Sequence, residues 1–168
     1  MEYFDALDKY GNKKGYVIER GIMPEDNETY LGIVSIIVIN KDNKILTTKR
    51  HPNKPAGALW EVTGGGILAG EEPIDSARRE LEEETGIIVS TDQFQLIEKT
   101  TADYFFCYTY LVVLDYNPKV VLQKTETIDY KWLSYNDFFE FTKSNSFVSY
   151  IGDRVRRILP TIKEKTFI

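Results

Sequence analysis

Apolar and polar positions divide the chain into short alternating segments. Tyr30 to Ile39 is almost continuously apolar and β-branched, the pattern of a strand covered on both faces. Asn40-Lys41-Asp42-Asn43 then reads as a turn into a strand over Lys44 to Arg50, which predicts a β-hairpin. Upstream, Tyr16-Val17-Ile18 predicts a short first strand behind a polar lead-in, residues 1–15, that is loose or a small hairpin. Downstream of Pro52, Pro55 and Gly57, Leu59 to Thr63 reads as extended. Tyr104 to Leu114 and Thr127 to Leu133 are longer strands. Two short strands are expected within 87–99, and a turn with another short strand near 117–122.

The helical period appears elsewhere. Glu72-Pro73 starts a helix with Pro at its first position, and the helix runs to Thr85 with Gly86 as its left-handed stop. Ser134 caps a turn into Asp137 to Thr142. A closing helix over 146–159 puts Phe147, Ile151, Val155 and Ile158 on one face and ends at Pro160. These elements predict one α/β domain over residues 1–168, with a mixed sheet.

Composition sharpens this picture mainly by exclusion. An apolar fraction of 42% in 168 residues is enough for a complete core and argues against disorder. A net charge of −5 gives no support to a nucleic-acid duplex face, although a small anionic ligand stays open. The single Cys107 cannot form an internal disulfide and suits a reducing compartment. Met1-Glu2-Tyr3-Phe4-Asp5 lacks the features of a signal peptide, and Leu31 to Asn40 is too short to span a membrane. The expectation is a cytoplasmic protein with no membrane partner.

The charge is concentrated in one place. Between Glu71 and Glu84 lie seven acids against Arg78 and Arg79, so this window alone carries −5, the net charge of the whole chain. On a helix Ile74, Ala77 and Leu81 share the apolar side, while Glu80, Glu83 and Glu84 fan out beside it as neighbours three and four apart. Like charges there repel unless a cation intervenes, and hard carboxylate oxygens suit Mg²⁺ or Mn²⁺. Arg79, four residues before Glu83, is placed to hold that carboxylate. The plain alternative is a solvated helix face with one salt bridge. Three adjacent glycines, Gly64, Gly65 and Gly66, lie just upstream and point to a backbone requirement.

Gly65, Glu71 and the run Arg79-Glu80-Leu81-Glu82-Glu83-Glu84-Thr85-Gly86-Ile87 together resemble the complete box of the Nudix hydrolases, with every fixed position filled. The resemblance extends over about residues 14–160. It implies an α/β/α sandwich with a mixed sheet, and attack of water on a diphosphate linked to a second group X. It further implies Glu80, Glu83 and Glu84 as carboxylate ligands for Mg²⁺ or Mn²⁺, with Gly65 offering its carbonyl. Arg79 would orient a glutamate, and Glu71 would tie the loop to the helix. Some members use an acid outside the box as a fourth ligand or general base, for which Glu126 is the candidate here, with a solvent-exposed loop residue as the alternative reading. Asp129 is a weaker choice.

Around the box, Gly64 and Gly66 are candidates to line the phosphate cleft. Arg50 and Lys54 either contact substrate phosphates or are ordinary bases at a strand end. Trp60 either lines the cleft or packs in the core. Tyr104, Phe106, Tyr108 and Tyr110 share one face of a strand, either for stacking a base or for burial under the final helix. The expected partner is a small, nucleotide-derived diphosphate, and a monomer or a homodimer both fit. Lys49 to Glu71 also resembles the isopentenyl-diphosphate isomerase branch, whose catalytic Cys falls at Val62-Thr63-Gly64, where this chain has none. A non-catalytic ligand-sensing or protein-binding module is the third reading, although such modules usually lose box glutamates and this chain keeps them.

Overall fold

The computed structural model describes residues 1–166. Nine strands and three α-helices are found among them: β1 (Tyr3–Leu7), β2 (Lys13–Glu19), β3 (Tyr30–Ile39), β4 (Ile45–Arg50), β5 (Trp60–Glu61), β6 (Gly64–Gly66), α1 (Pro73–Thr85), β7 (Gln95–Ala102), β8 (Phe105–Val113), β9 (Thr127–Leu133), α2 (Tyr135–Phe141) and α3 (Ser149–Thr166). The sheet is mixed: β3 runs parallel to β8 in register from Leu31↔Phe105 to Ile39↔Val113, and every other pairing is antiparallel.

Strand β3 is the spine, and its alternation sorts the core. Val34, Ile36 and Val38 face α1, where Ala77 and Leu81 are fully buried against Phe106, Tyr108 and Tyr110. Ile37 and Ile39 face the other way, onto Phe138 of α2 and Ile151, Val155, Ile158 and Leu159 of α3. The result is the expected α/β/α sandwich. The aromatic face of β8 therefore lies under α1, not under the final helix; Cys107 and Leu111 point to the α3 side.

Of the two readings of the lead-in the small hairpin holds: β1 pairs with β2 and then with β3 at Ala6↔Leu31, so it joins the sheet. Three other expectations change. The β3–β4 turn forms, but the two strands share only the Ile39↔Ile45 pair before β4 turns away to β5 and β9. Residues 87–90 form no strand, although Ile87 and Val89 are buried; Ser90 and Gln93 instead close a capping box on a single 3₁₀ turn, Thr91–Gln93, ahead of β7. Residues 117–122 are likewise irregular, and the Val121 N–H donates to the Thr85 carbonyl, satisfying the C-terminal end of α1.

Helix α1 matches its sequence signals. Pro73 stands at the first turn and Gly86 takes φ 68°, its N–H donating to the Glu82 carbonyl. Helix α3 does not. It runs through Pro160 to Thr166, where the expectation was a stop. Proline removes one N–H from the ladder, but Leu159 and Ile162 on either side are fully buried, and that burial outweighs the lost bond.

Candidate active site

Strand β6 pairs with β3 through Ser35↔Gly64, Val34↔Gly65 and Ile33↔Gly66, and none of its glycines needs a positive φ. What they need is room. A Cβ on Gly64 would overlap the Val34 carbonyl, one on Gly66 the Phe4 ring, and one on Gly65 the carboxylate of Glu80. The triplet thus lets α1 lay a glutamate directly on the strand. Since only the end of a flexible side chain blocks Gly65, Gly65→Ala is expected to change stability by less than about 1 kcal/mol. Displacing the Glu80 carboxylate should cost about 10²-fold in any rate that depends on its position. A denaturation curve and an initial-rate measurement on the same sample check both.

Arg79 organises the acids. Its Nε and Nη2 each donate at 2.9 Å to the two oxygens of Glu71, and Nη2 also reaches the Gly66 carbonyl at 3.0 Å. Nη1 donates to Glu80 at 2.7 Å and to Glu83 at 3.2 Å. One guanidinium therefore fixes three carboxylates and the glycine strand. Burial pushes the Glu71 carboxyl up, but its bonds to Arg79 and the Leu68 N–H outweigh this and hold it low. Glu80 is pushed up to about 7, chiefly by burial against the pull of Arg79, with Glu84 and Glu83 adding repulsion.

Glu84 points to a different side of the helix. It is 2% exposed and accepts a hydrogen bond from the Thr63 hydroxyl and a longer one, 3.3 Å, from the Gly64 N–H. Burial, then the nearby charge of Glu61, push it up to about 7. Lys54 Nζ lies 3.5 Å from Glu84 and 2.7 Å from Glu126, so an ammonium bridges the helix to the loop before β9. Burial alone would lower the Lys54 pKa, and these two carboxylates raise it instead.

A polar cavity of about 260 Å³ gathers Gly64, Gly65, Gly66, Lys54, Arg79, Glu80, Glu83 and Glu126. Glu71 and Glu84 lie outside this lining. The remaining candidates sit otherwise. Arg50 holds both oxygens of buried Glu61, at 2.8 and 2.7 Å, with its Nε on the Pro55 carbonyl, and lies outside this lining. Trp60 is 6% exposed in the α3-side core, edge-on to Phe141, away from this cavity. Cys107 is buried, with its sulfur 3.8 Å from the Thr109 hydroxyl.

Sequence reading missed four contributors. Phe4 and Arg20 line the cavity from the N-terminal hairpin and the residue after it; only the Tyr16-Val17-Ile18 strand signal hinted that this segment is structural. Thr63 and Glu61 interact with Glu84 from the segment before β6, and nothing local marks them.

Among the described residues, no three His, Cys, Asp or Glu side chains converge in a geometry that could hold a metal ion. The three helix glutamates split, Glu80 and Glu83 toward Arg79 and Glu84 toward Thr63 and Lys54. The donors nevertheless fit a hard divalent cation. They are carboxylate oxygens beside a strand with no side chains, two of them hold their protons to about pH 7, and a lysine ammonium already occupies the acid-lined gap.

An α/β/α sandwich with an acidic helix laid on a glycine strand defines a class of phosphate-handling domains. The sequence model of the NUDIX domain matches residues 29–151, and the chain belongs to the Nudix hydrolase superfamily. It is 33% identical over 125 residues to an 8-oxo-dGTP diphosphatase of Buchnera aphidicola, a match covering 71% of this chain and 90% of that protein. An RNA pyrophosphohydrolase of Bartonella clarridgeiae is 48% identical over 63 residues, 34% of this chain and only 36% of that relative's length. The crystal structure of a Deinococcus radiodurans protein superposes with a TM-score of 0.76 at 18% identity, over 93% of this chain and 98% of that one, which is a likeness of fold. No described helix is long and apolar enough to cross a membrane.

Proposed function

We propose that this protein hydrolyses the diphosphate bond of a nucleoside diphosphate linked to another group X, with Mg²⁺ or Mn²⁺. The observation that carries the reading is the cavity where a side-chain-free strand, Arg79-held carboxylates and the Lys54–Glu126 bridge meet. Glu80, Glu83 and Glu84 would hold the ion, with the Gly65 carbonyl. When bound, it supplies charge neutralisation and Lewis acidity toward the phosphoryl oxygens.

The chain's own groups do the rest. Gly64 and Gly66 let phosphates approach the backbone, and Lys54 and Arg20 supply positive charge on the cavity wall. Arg79 keeps Glu80 and Glu83 in place, and Glu71 keeps Arg79 in place. Glu126, across the cavity from the helix, is the acceptor for a proton leaving the attacking water. Relatives named as an RNA pyrophosphohydrolase and an 8-oxo-dGTP diphosphatase support a nucleotide substrate. The isomerase reading loses support, because Val62-Thr63-Gly64, the segment corresponding to that branch's Cys, holds none and Cys107 is buried in the sheet.

The test is a panel of nucleotide diphosphate substrates assayed with Mg²⁺ and Mn²⁺, with Glu83→Gln as the control. The Glu83 side chain is 48% exposed, so the substitution should leave stability within about 0.5 kcal/mol. The rate should fall about 10²-fold. Equal turnover by the variant would remove Glu83 from the machinery. Tight binding without any turnover would favour the sensing module, and double-bond migration with the diphosphate intact would favour the isomerase.

A further inference from the structure

A second cavity, about 460 Å³, opens from the first between the sheet and α3, sharing Gly64, Gly65, Gly66, Lys54 and Glu126 with it. At its α3 wall sits Arg154, 6% exposed, whose buried Nε has no hydrogen-bond partner among the described residues. Among the described residues no ion pair compensates it either. Its charge acts on Glu61, but both oxygens of Glu61 are held by Arg50. A buried guanidinium nitrogen without a partner is costly, and a cation lining a cavity with no ion pair is retained when something else supplies acceptors to it.

The surroundings say what that something is. Ile33, Val62, Phe105 and Tyr150 give this cavity apolar walls suited to a flat ring, beside Arg20, Arg50 and Lys54. A guanidinium is a rigid donor fork that matches two adjacent acceptors on one edge. Among nucleobases the 6-oxopurines present that edge, O6 with N7, whereas adenine pairs N7 with an N6 donor. Resting on the diphosphate-hydrolase reading, we propose that Arg154 is the residue that selects the base of the substrate, and that this base is a guanine-type 6-oxopurine.

Binding to the whole chain tests this without turnover. Calorimetry with guanosine monophosphate, adenosine monophosphate and ribose 5-phosphate should show the guanine nucleotide binding at least about 10-fold tighter than the other two. In Arg154→Met that preference should vanish. Because the substitution removes an uncompensated charge, its unfolding midpoint should stay level or rise, which a structural arginine would not allow. Arg154→Lys keeps the charge without the fork and should lose the preference as well.

Equal binding of all three ligands, or a guanine preference that survives in Arg154→Met, overturns the proposal. Ribose 5-phosphate binding as tightly as the guanine nucleotide would show that the cavity reads phosphate. Failure of both variants to fold would make Arg154 a structural residue and overturn it too. Hydrolysis of diphosphates without base preference would sink this assignment while leaving the reaction intact; absence of any hydrolysis alongside guanine-selective binding would do the reverse.

Discussion

Arg79→Ala is expected to damage stability and activity together. It strips the hydrogen-bond partner from Glu71, Glu80 and Glu83 together and releases the Gly66 carbonyl. Three carboxylates then face one another on a partly buried surface. Breaking a fully buried pair costs more, but Arg79 is about a quarter exposed, so a loss of about 2 kcal/mol in unfolding free energy is the expected scale. The rate should fall by about 10²- to 10³-fold, because two of the acids proposed to work on the substrate lose their orientation together. Arg79→Lys should rescue little, since a point charge cannot hold both oxygens of Glu71 and still reach Glu80. Chemical denaturation and steady-state rates check this, and a variant with normal stability and normal rate would mean that the network is decorative.

Glu84→Gln should move stability and activity in opposite directions. Burial pushes the Glu84 carboxyl up to about 7 in the folded protein, whereas an unfolded glutamate gives its proton up near the ordinary 4.5. Between those values the unfolded chain ionises first, so the folded state is progressively disfavoured as pH rises, and the loss levels off above about pH 7. Glutamine keeps an acceptor for the Thr63 hydroxyl but never ionises. With divalent ions chelated, the variant should therefore be more stable than wild type at pH 8 by about 1–2 kcal/mol, with the gap closing toward pH 4.5. Its rate should fall about 10³-fold, because the negative charge proposed to hold the cation is gone. Urea titrations at several pH values in chelator read the first effect. A variant no more stable than wild type at pH 8 would show that Glu84 is not strained by its burial.

Helix α1 was legible from its ends and its spacing because every signal on it is local: Pro73, the apolar positions Ala77 and Leu81, and Gly86. The role of Arg79 toward Glu83 was legible too, as a neighbour four residues away, but its grip on Glu71 and the Gly66 carbonyl depends on a loop folding back. Long-range pairings escaped in the same way. Nothing near Arg50 announces that Glu61 will be its partner, since that contact exists only because β4 and β5 lie side by side. Pro160 misled for the opposite reason: a local rule was sound, and the burial of Leu159 and Ile162 overrode it.

The single Ile39↔Ile45 pair makes the two halves of the sheet diverge like the covers of a book, with β3, β6 and β8 on one cover and β4, β5 and β9 on the other. Only residues 62–63 carry the chain from β5 back to β6, and Thr63 meets Glu84 at that crossing. The cavity draws on both covers, the α1 glutamates from one and Lys54 and Glu126 from the other, so a length change in the tight turn at Asn40–Asn43 would shift the two sets of groups against each other.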